Sequence, residues 1–286
     1  MSNPVFRRSD DFKPRNYPPG AGTQVYGDPQ YGAGYTGYQG APTAAGLNAM
    51  YAAPAAGPVQ TGRLTYDDVL IKTAGMFGVL LVGATFGWMS VRAGHPEVIW
   101  GSCLIAFILA MVNSFKRNPS PVLITLYAVF EGLCVGGLSM VFEALWPGIV
   151  MQAVIGTLAV FGVTLVLFKS GKVRASAKAT KIWFVAMLGY AVFSLVNMVL
   201  MWTGVVNDPF GLRSVKVMGI PIGVVIGLVV IVMAAYAYVM DFDFIKTAVV
   251  YGAPAKVAWT AAFGLLVTTV WLYLEVLRLL AIIRDS

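Results

Sequence analysis

The sequence predicts an all-α membrane protein: a seven-transmembrane helix bundle with a central sixth helix, preceded by a disordered tail. Three observations lead there. Hydrophobic residues make up 58% of the chain and charged residues only 12%, a balance far from that of an ordinary globular domain. Beyond about residue 60 the apolar residues fall in continuous runs of about twenty, the length a helix needs to cross a ~30 Å hydrocarbon core. Turn-forming or basic segments separate those runs. A membrane β-barrel would instead show alternating segments of about ten residues.

Residues 1–60 are of another composition, rich in Pro, Gly, Ala, Gln and Tyr, with Tyr26-Gly27, Tyr31-Gly32, Gly34-Tyr35 and Gly37-Tyr38 as a loose repeat. Such a segment cannot bury enough apolar surface to fold, so it reads as a disordered cytoplasmic tail. Its Arg7, Arg8, Lys13 and Arg15 precede no apolar stretch of the kind a cleavable signal requires.

Residues 61–286 form the membrane domain. Thr65-Tyr66-Asp67-Asp68 starts its first helix: Thr65 can cap the N-terminus and the acids suit the helix dipole. That span runs to about residue 91. Further spans are expected over 98–115, 121–145, 149–168, 182–203, 220–240 and 257–283. The breaks are Asn118-Pro119-Ser120-Pro121, Pro147-Gly148, the basic stretch from Lys169 to Lys181, Asn207-Asp208-Pro209 and Gly252-Ala253-Pro254.

The formal charge of +7 does not point to nucleic acid, because the basic residues lie between apolar runs rather than in one patch with aromatics. They do orient the chain. Of the Lys and Arg residues, fifteen fall on the side of the tail and five on the other, which places the N-terminus in the cytoplasm and the C-terminus outside. Leaving out the tail, the bias is still eleven to five.

Packing positions are marked by small residues, since lipid gives helices no hydrophobic reason to associate. Gly219, Gly223 and Gly227 make a doubled GxxxG on the sixth span; Gly83 with Gly87, and Gly132 with Gly136, make two more. Cys103 and Cys134 lie within apolar runs, where a small polarisable side chain simply packs, and neither a disulfide framework nor a metal site is expected.

Acids inside apolar spans are functional candidates because a charge in the bilayer is costly. Glu131 lies about ten residues into the third span, ~15 Å deep. Asp241 is expected to end the sixth span at the cytoplasmic boundary. Asp243, about 200° further round a helix, can pair with Lys246 on the solvated side. Glu275 lies past the middle of the seventh span with Arg278 three residues on, so it is either an ion pair near the outer interface or part of a transport site. Carboxylates suit Ca²⁺, which takes six to eight oxygens, and burial favours a neutral carboxyl, so a proton can replace the metal. The lone His95 sits in an outer loop. With no nucleophile beside a base and no HExxH, an enzyme is the least favoured class.

From Leu64 onward the chain resembles the Bax inhibitor-1/YccA family of seven-span membrane proteins. Phe130-Glu131-Gly132-Leu133-Cys134-Val135-Gly136 resembles that family's third-helix segment. Gln152-Ala153, Gly156-Thr157 and Ala159-Val160-Phe161-Gly162 resemble its fourth-helix pattern. Asp241 followed by Ile245-Lys246 is similar to the acid ending its sixth helix, and Leu277-Arg278-Leu279-Leu280 to its C-terminal run. The tail lies outside the resemblance and suggests a divergent bacterial branch, hence a bacterial plasma membrane.

The resemblance implies a bundle with a central sixth helix and a pH-sensitive calcium leak, gated by two aspartates from the sixth and seventh helices. Asp241 matches the first. At the second, about ten residues before Arg278, this chain has Thr268 in Thr268-Thr269, and Glu275 lies two turns nearer the outside. No bound cofactor is expected, with Ca²⁺ as a transported ion. The alternative is a non-transporting regulator that binds another membrane protein, such as a quality-control protease.

Overall fold

The computed structural model describes residues 62–116 and 120–286. The expected disordered tail, together with Arg117, Asn118 and Pro119, lies outside the described residues. Among the described residues seven α-helices follow in order: α1 (Tyr66–Arg92), α2 (Glu97–Phe115), α3 (Pro121–Leu145), α4 (Ile149–Lys169), α5 (Ala177–Trp202), α6 (Ile222–Val250) and α7 (Val257–Asp285). Each is long and apolar enough to cross a membrane.

Thr65 caps α1 as its sequence suggests. Its hydroxyl accepts the Asp68 N–H at 3.1 Å, and the Asp68 carboxylate accepts the Thr65 N–H at 3.1 Å. The segment before α1 is stitched to the α6–α7 turn. Leu64 N–H donates to Ala253 O at 2.7 Å, Ala255 N–H to Gly62 O at 2.9 Å, and Lys72 Nζ to Ala255 O at 3.1 Å.

Helices α1 and α3 meet through their glycines. A methyl placed on Gly83 would come 2.6 Å from Val129 O, and one on Gly136 would overlap the Ala84 carbonyl. Gly87 lies likewise against Leu133, and Gly132 against Leu80. The two GxxxG motifs therefore face each other and bring backbone against backbone, which is how apolar helices gain contact without a hydrophobic drive. Cys103 and Cys134 form a disulfide joining α2 to α3, with Cα atoms 5.1 Å apart. This corrects the expectation that they merely pack; two cysteines at helix-crossing distance in separate spans carry no spacing signature.

The centre is shared by α6 and α7. Buried residues recur on every side of α7, from Ala258 through Leu266 and Glu275 to Ile282. Helix α6 packs along it, with Tyr238, Ala234 and Phe242 in one cluster with Leu272 and Val276 of α7. Of the two central helices, α7 is the more enclosed.

Two boundaries differ from the sequence reading. Gly219 is not on α6. Lys216–Val217 and Ile220–Pro221 pair antiparallel as strands β1 and β2, and the chain reverses at Met218 (φ 54°) and Gly219 (φ 84°). Two consecutive positive φ values suit a two-residue hairpin, which glycine accepts at little cost. Of the glycine triplet only Gly223 and Gly227 are helical; Gly223 lies against Arg213 and Ile282, and Gly227 against Leu279. At its other end α6 continues to Val250. Asp241 therefore stands inside the helix, roughly 14 Å before its end, rather than terminating it. Acidic and basic side chains do not break a helix; Gly252 at positive φ does.

Candidate functional site

Asp241 sits half-buried between α6 and α7. Thr268 Oγ1 donates to its Oδ2 at 2.8 Å, and its Oδ1 lies over Gly264, where a methyl would be only 3.3 Å away. One helical turn separates Gly264 from Thr268, so both occupy the stripe of α7 that faces Asp241. The position at which the family resemblance implies a second aspartate thus holds a hydroxyl that binds the first.

The contact belongs to a seam of hydroxyls along α7. Tyr238 on α6 donates to Thr269 Oγ1 at 2.9 Å, and Thr269 donates to Leu265 O at 2.6 Å. Further along, the Tyr273 and Ser139 hydroxyls lie 2.7 Å apart and link α7 to α3. Thr269, Tyr273 and Ser139 border a largely apolar cavity of about 570 Å³ between α1, α3, α4 and α7. Among the described residues no cation pairs with Asp241.

Glu131 does not join this site. Its neighbours one turn either way on α3, Tyr127 and Val135, share a buried cluster with Phe263, Leu266 and Val270 of α7. Tyr127 meets Phe263 edge to face, with centroids 5.2 Å apart. Those α7 residues lie on the side away from Thr268, since Leu266 and Thr268 differ by about 200° around the helix. Helix α7 stands between the two acids.

Glu275 forms a different centre. It is 2% exposed and ion-paired to two guanidiniums: Arg213 Nη1 at 3.2 Å and Arg278 Nη1 at 2.7 Å. Tyr190 O–H of α5 donates to Glu275 Oε2 at 2.7 Å while accepting from Arg213 Nη2 at 3.0 Å and Arg278 Nη1 at 3.2 Å. Arg213 Nη2 also donates to Ser194 Oγ at 3.3 Å, and its guanidinium lies over the Tyr190 and Phe193 rings. Of the two readings of Glu275, the geometry is that of an ion pair. The short 3₁₀ turn Gly211–Ser214 supplies Arg213. It is held by Asn197 of α5, whose Oδ1 accepts the Leu212 N–H at 2.6 Å and whose Nδ2 donates to Phe210 O at 3.3 Å.

Asp243 and Lys246 form no ion pair, contrary to the expectation from their spacing. The only ion pairs among the described residues are those of Glu275 and the exposed one between His95 and Glu97. The structure therefore disperses the four acids. It joins Asp241 to Thr268 and Glu275 to two arginines, and leaves Glu131 and Asp243 apart. No group of three His, Cys, Asp or Glu side chains able to hold a metal occurs among the described residues. One carboxylate and one hydroxyl are fewer than the six to eight oxygens that a Ca²⁺ ion takes. Thr268 as partner was visible in the sequence only as a missing acid. Arg213 and Tyr190 carried no signal, because a loop arginine and a mid-span tyrosine have no fixed spacing to Glu275.

Seven apolar helices holding a half-buried carboxylate–hydroxyl contact and a buried ionic network define a multi-pass membrane protein in contact with lipid. The chain belongs to the Bax inhibitor 1 like family, whose sequence profile matches residues 3–285. That match takes in most of the tail, which the sequence reading placed outside the resemblance. No curated protein and no solved structure matches the chain.

Proposed function

We propose that this protein is a pH-sensitive leak for cations, calcium among them, in a bacterial plasma membrane, with its N-terminus in the cytoplasm and its C-terminus outside. The observation that carries this reading is the Thr268–Asp241 hydrogen bond inside the span. It ties α6 to α7 through a group whose charge depends on a proton. Ionised, Asp241 attracts a cation and accepts the Thr268 hydroxyl; neutral, it loses the first interaction and weakens the second. The protein needs no bound cofactor and performs no catalysis in this reading, and Ca²⁺ is cargo. Glu131 packs within the bundle, and Asp243 has no part in sensing.

The test is calcium flux into proteoliposomes at about pH 6 and pH 8. Asp241→Asn keeps the size of the side chain and removes its charge, so it should change the flux and flatten its pH response over that range. Asp243→Asn and Glu131→Gln should do much less. Flux no greater than that of empty vesicles at either pH would end the leak reading.

The alternative is a non-transporting regulator that binds another membrane protein, such as a quality-control protease. What favours it is α5, which buries Asn197 alone and leaves most of a 26-residue apolar helix exposed to lipid or to a partner.

A further inference from the structure

Beside the Glu275 network lies a cavity of about 800 Å³, floored by α7 and walled by α2 and α5. Its lining carries the charged Arg213, Arg278 and Glu275 and the polar Ser194 and Asn197; the remainder is apolar or aromatic, with Trp100 of α2, Met198 and Trp202 of α5, and Trp271 and Leu274 of α7. The charges do not balance. Two guanidiniums share one carboxylate, and both Arg213 and Glu275 are almost wholly buried, with side chains 5% and 2% exposed. Tyr190 and Ser194 contribute hydroxyls but no second negative charge. Among the described residues no other acid pairs with either arginine.

The surplus charge has free donors. Arg278 makes its hydrogen bonds through Nη1 alone, and its side chain is 35% exposed. A guanidinium presents five N–H groups in a planar fork suited to the paired oxygens of a phosphate or carboxylate. An uncompensated charge at this depth, roughly 10 to 15 Å from the end of α7, is costly unless a counter-charge meets it. A simple inorganic ion would satisfy the arginines and leave the tryptophan and methionine walls empty. Pockets that combine an apolar body with a few convergent polar groups suit ligands built the same way.

We propose that this cavity binds an anionic amphiphile: an oxyanion head, phosphate or carboxylate, on Arg278 beside the Arg213–Glu275 pair, with an apolar stem along Met198, Leu274 and the tryptophans. The site is separate from the Asp241 contact and stands or falls independently of the leak. The ligand reaches it either as an acidic phospholipid of the bilayer or as a single-chain amphiphile.

The purified full-length chain is equilibrated with equal amounts of phosphatidylglycerol and phosphatidylcholine carrying identical acyl chains, and retained lipid is read by native mass spectrometry. The wild type should retain phosphatidylglycerol over phosphatidylcholine by at least about tenfold, the scale of one or two charge-assisted hydrogen bonds. Arg278→Gln should reduce that preference to below about threefold while leaving the Arg213–Glu275 pair to hold the fold. Thermal unfolding in phosphatidylcholine alone checks that the fold survives. Met198→Trp, which narrows the apolar wall and keeps every charge, should lower retention as well and serves if Arg278→Gln is poorly folded. Dodecyl phosphate displacing phosphatidylglycerol, with dodecanol and inorganic phosphate ineffective, supports the amphiphile and admits a single-chain source. Phosphatidylglycerol resisting dodecyl phosphate supports the bilayer lipid as ligand. Displacement by inorganic phosphate alone, equal retention of the two lipids by wild type, or full preference in both variants overturns the proposal.

Discussion

Helices α1 and α5 occupy the same membrane and are held in it by opposite means. Helix α1 meets α3 with no side chain between them over Gly83, Gly87, Gly132 and Gly136, so the contact is dispersion between two backbones in register. Helix α5 buries only Asn197 and is attached at separate points by polar groups. Trp183 Nε1 donates to Met233 O at 2.8 Å, the Thr180 and Tyr236 hydroxyls lie 3.0 Å apart, and Tyr190 reaches Glu275. The first arrangement tolerates no added volume; the second tolerates volume but not loss of a partner. Stability in lipid thus rests on different chemistry in two parts of one bundle.

The largest effect is expected where backbones touch. Gly136→Leu would drive a side chain into the Ala84 carbonyl, and overpacking at a site that cannot relax costs about 3 kcal/mol or more. Thermal unfolding in detergent should show the loss, and a stability equal to wild type would mean that α1 and α3 are not in backbone contact. Next comes Glu275→Ala, which leaves two guanidiniums buried without their carboxylate, at about 3 to 5 kcal/mol. Its mark should be faster proteolysis of the loop before α6, since Arg213 anchors that loop; an unchanged cleavage rate would break the link between network and loop. Asn197→Ala removes the two hydrogen bonds that hold the same loop and should cost about 1 to 3 kcal/mol by the same assay. The smallest effect sharpens the contrast. Gly189→Ala on α5 meets open space and should be neutral or stabilising by up to about 1 kcal/mol in thermal unfolding, reflecting helix propensity alone. A large loss there would show that α5 packs tightly after all.

The spans were legible because each apolar run is long and is closed by proline, glycine or basic residues; the Thr65 cap and the paired glycines of α1 and α3 were legible because local spacing encodes them. What escaped depends on contacts distant in sequence. The extension of α6 past Asp241 is hidden by a drop in hydropathy there, because the helix ends only where the backbone turns, at Gly252. The Asp243–Lys246 pair was expected from spacing three apart, which allows an ion pair without requiring one. Gly219 fitted the GxxxG spacing by coincidence and serves a hairpin. At the candidate site, Asp241 could be named from one chain segment, whereas Thr268, Tyr238 and Arg213 acquire meaning only once α5, α6 and α7 are placed together.

The stitching of residues 62–72 to residues 253–255 also constrains the order of synthesis. Helix α1 finds the partners of the segment before it only when the α6–α7 turn has been made, 183 residues after Lys72 in the case of its bond to Ala255. Until then the Leu64 amide and the Gly62 carbonyl must be satisfied by water or lipid headgroups. The bundle therefore cannot close progressively from α1, and the turn before α7 completes the bonding of the segment that enters α1.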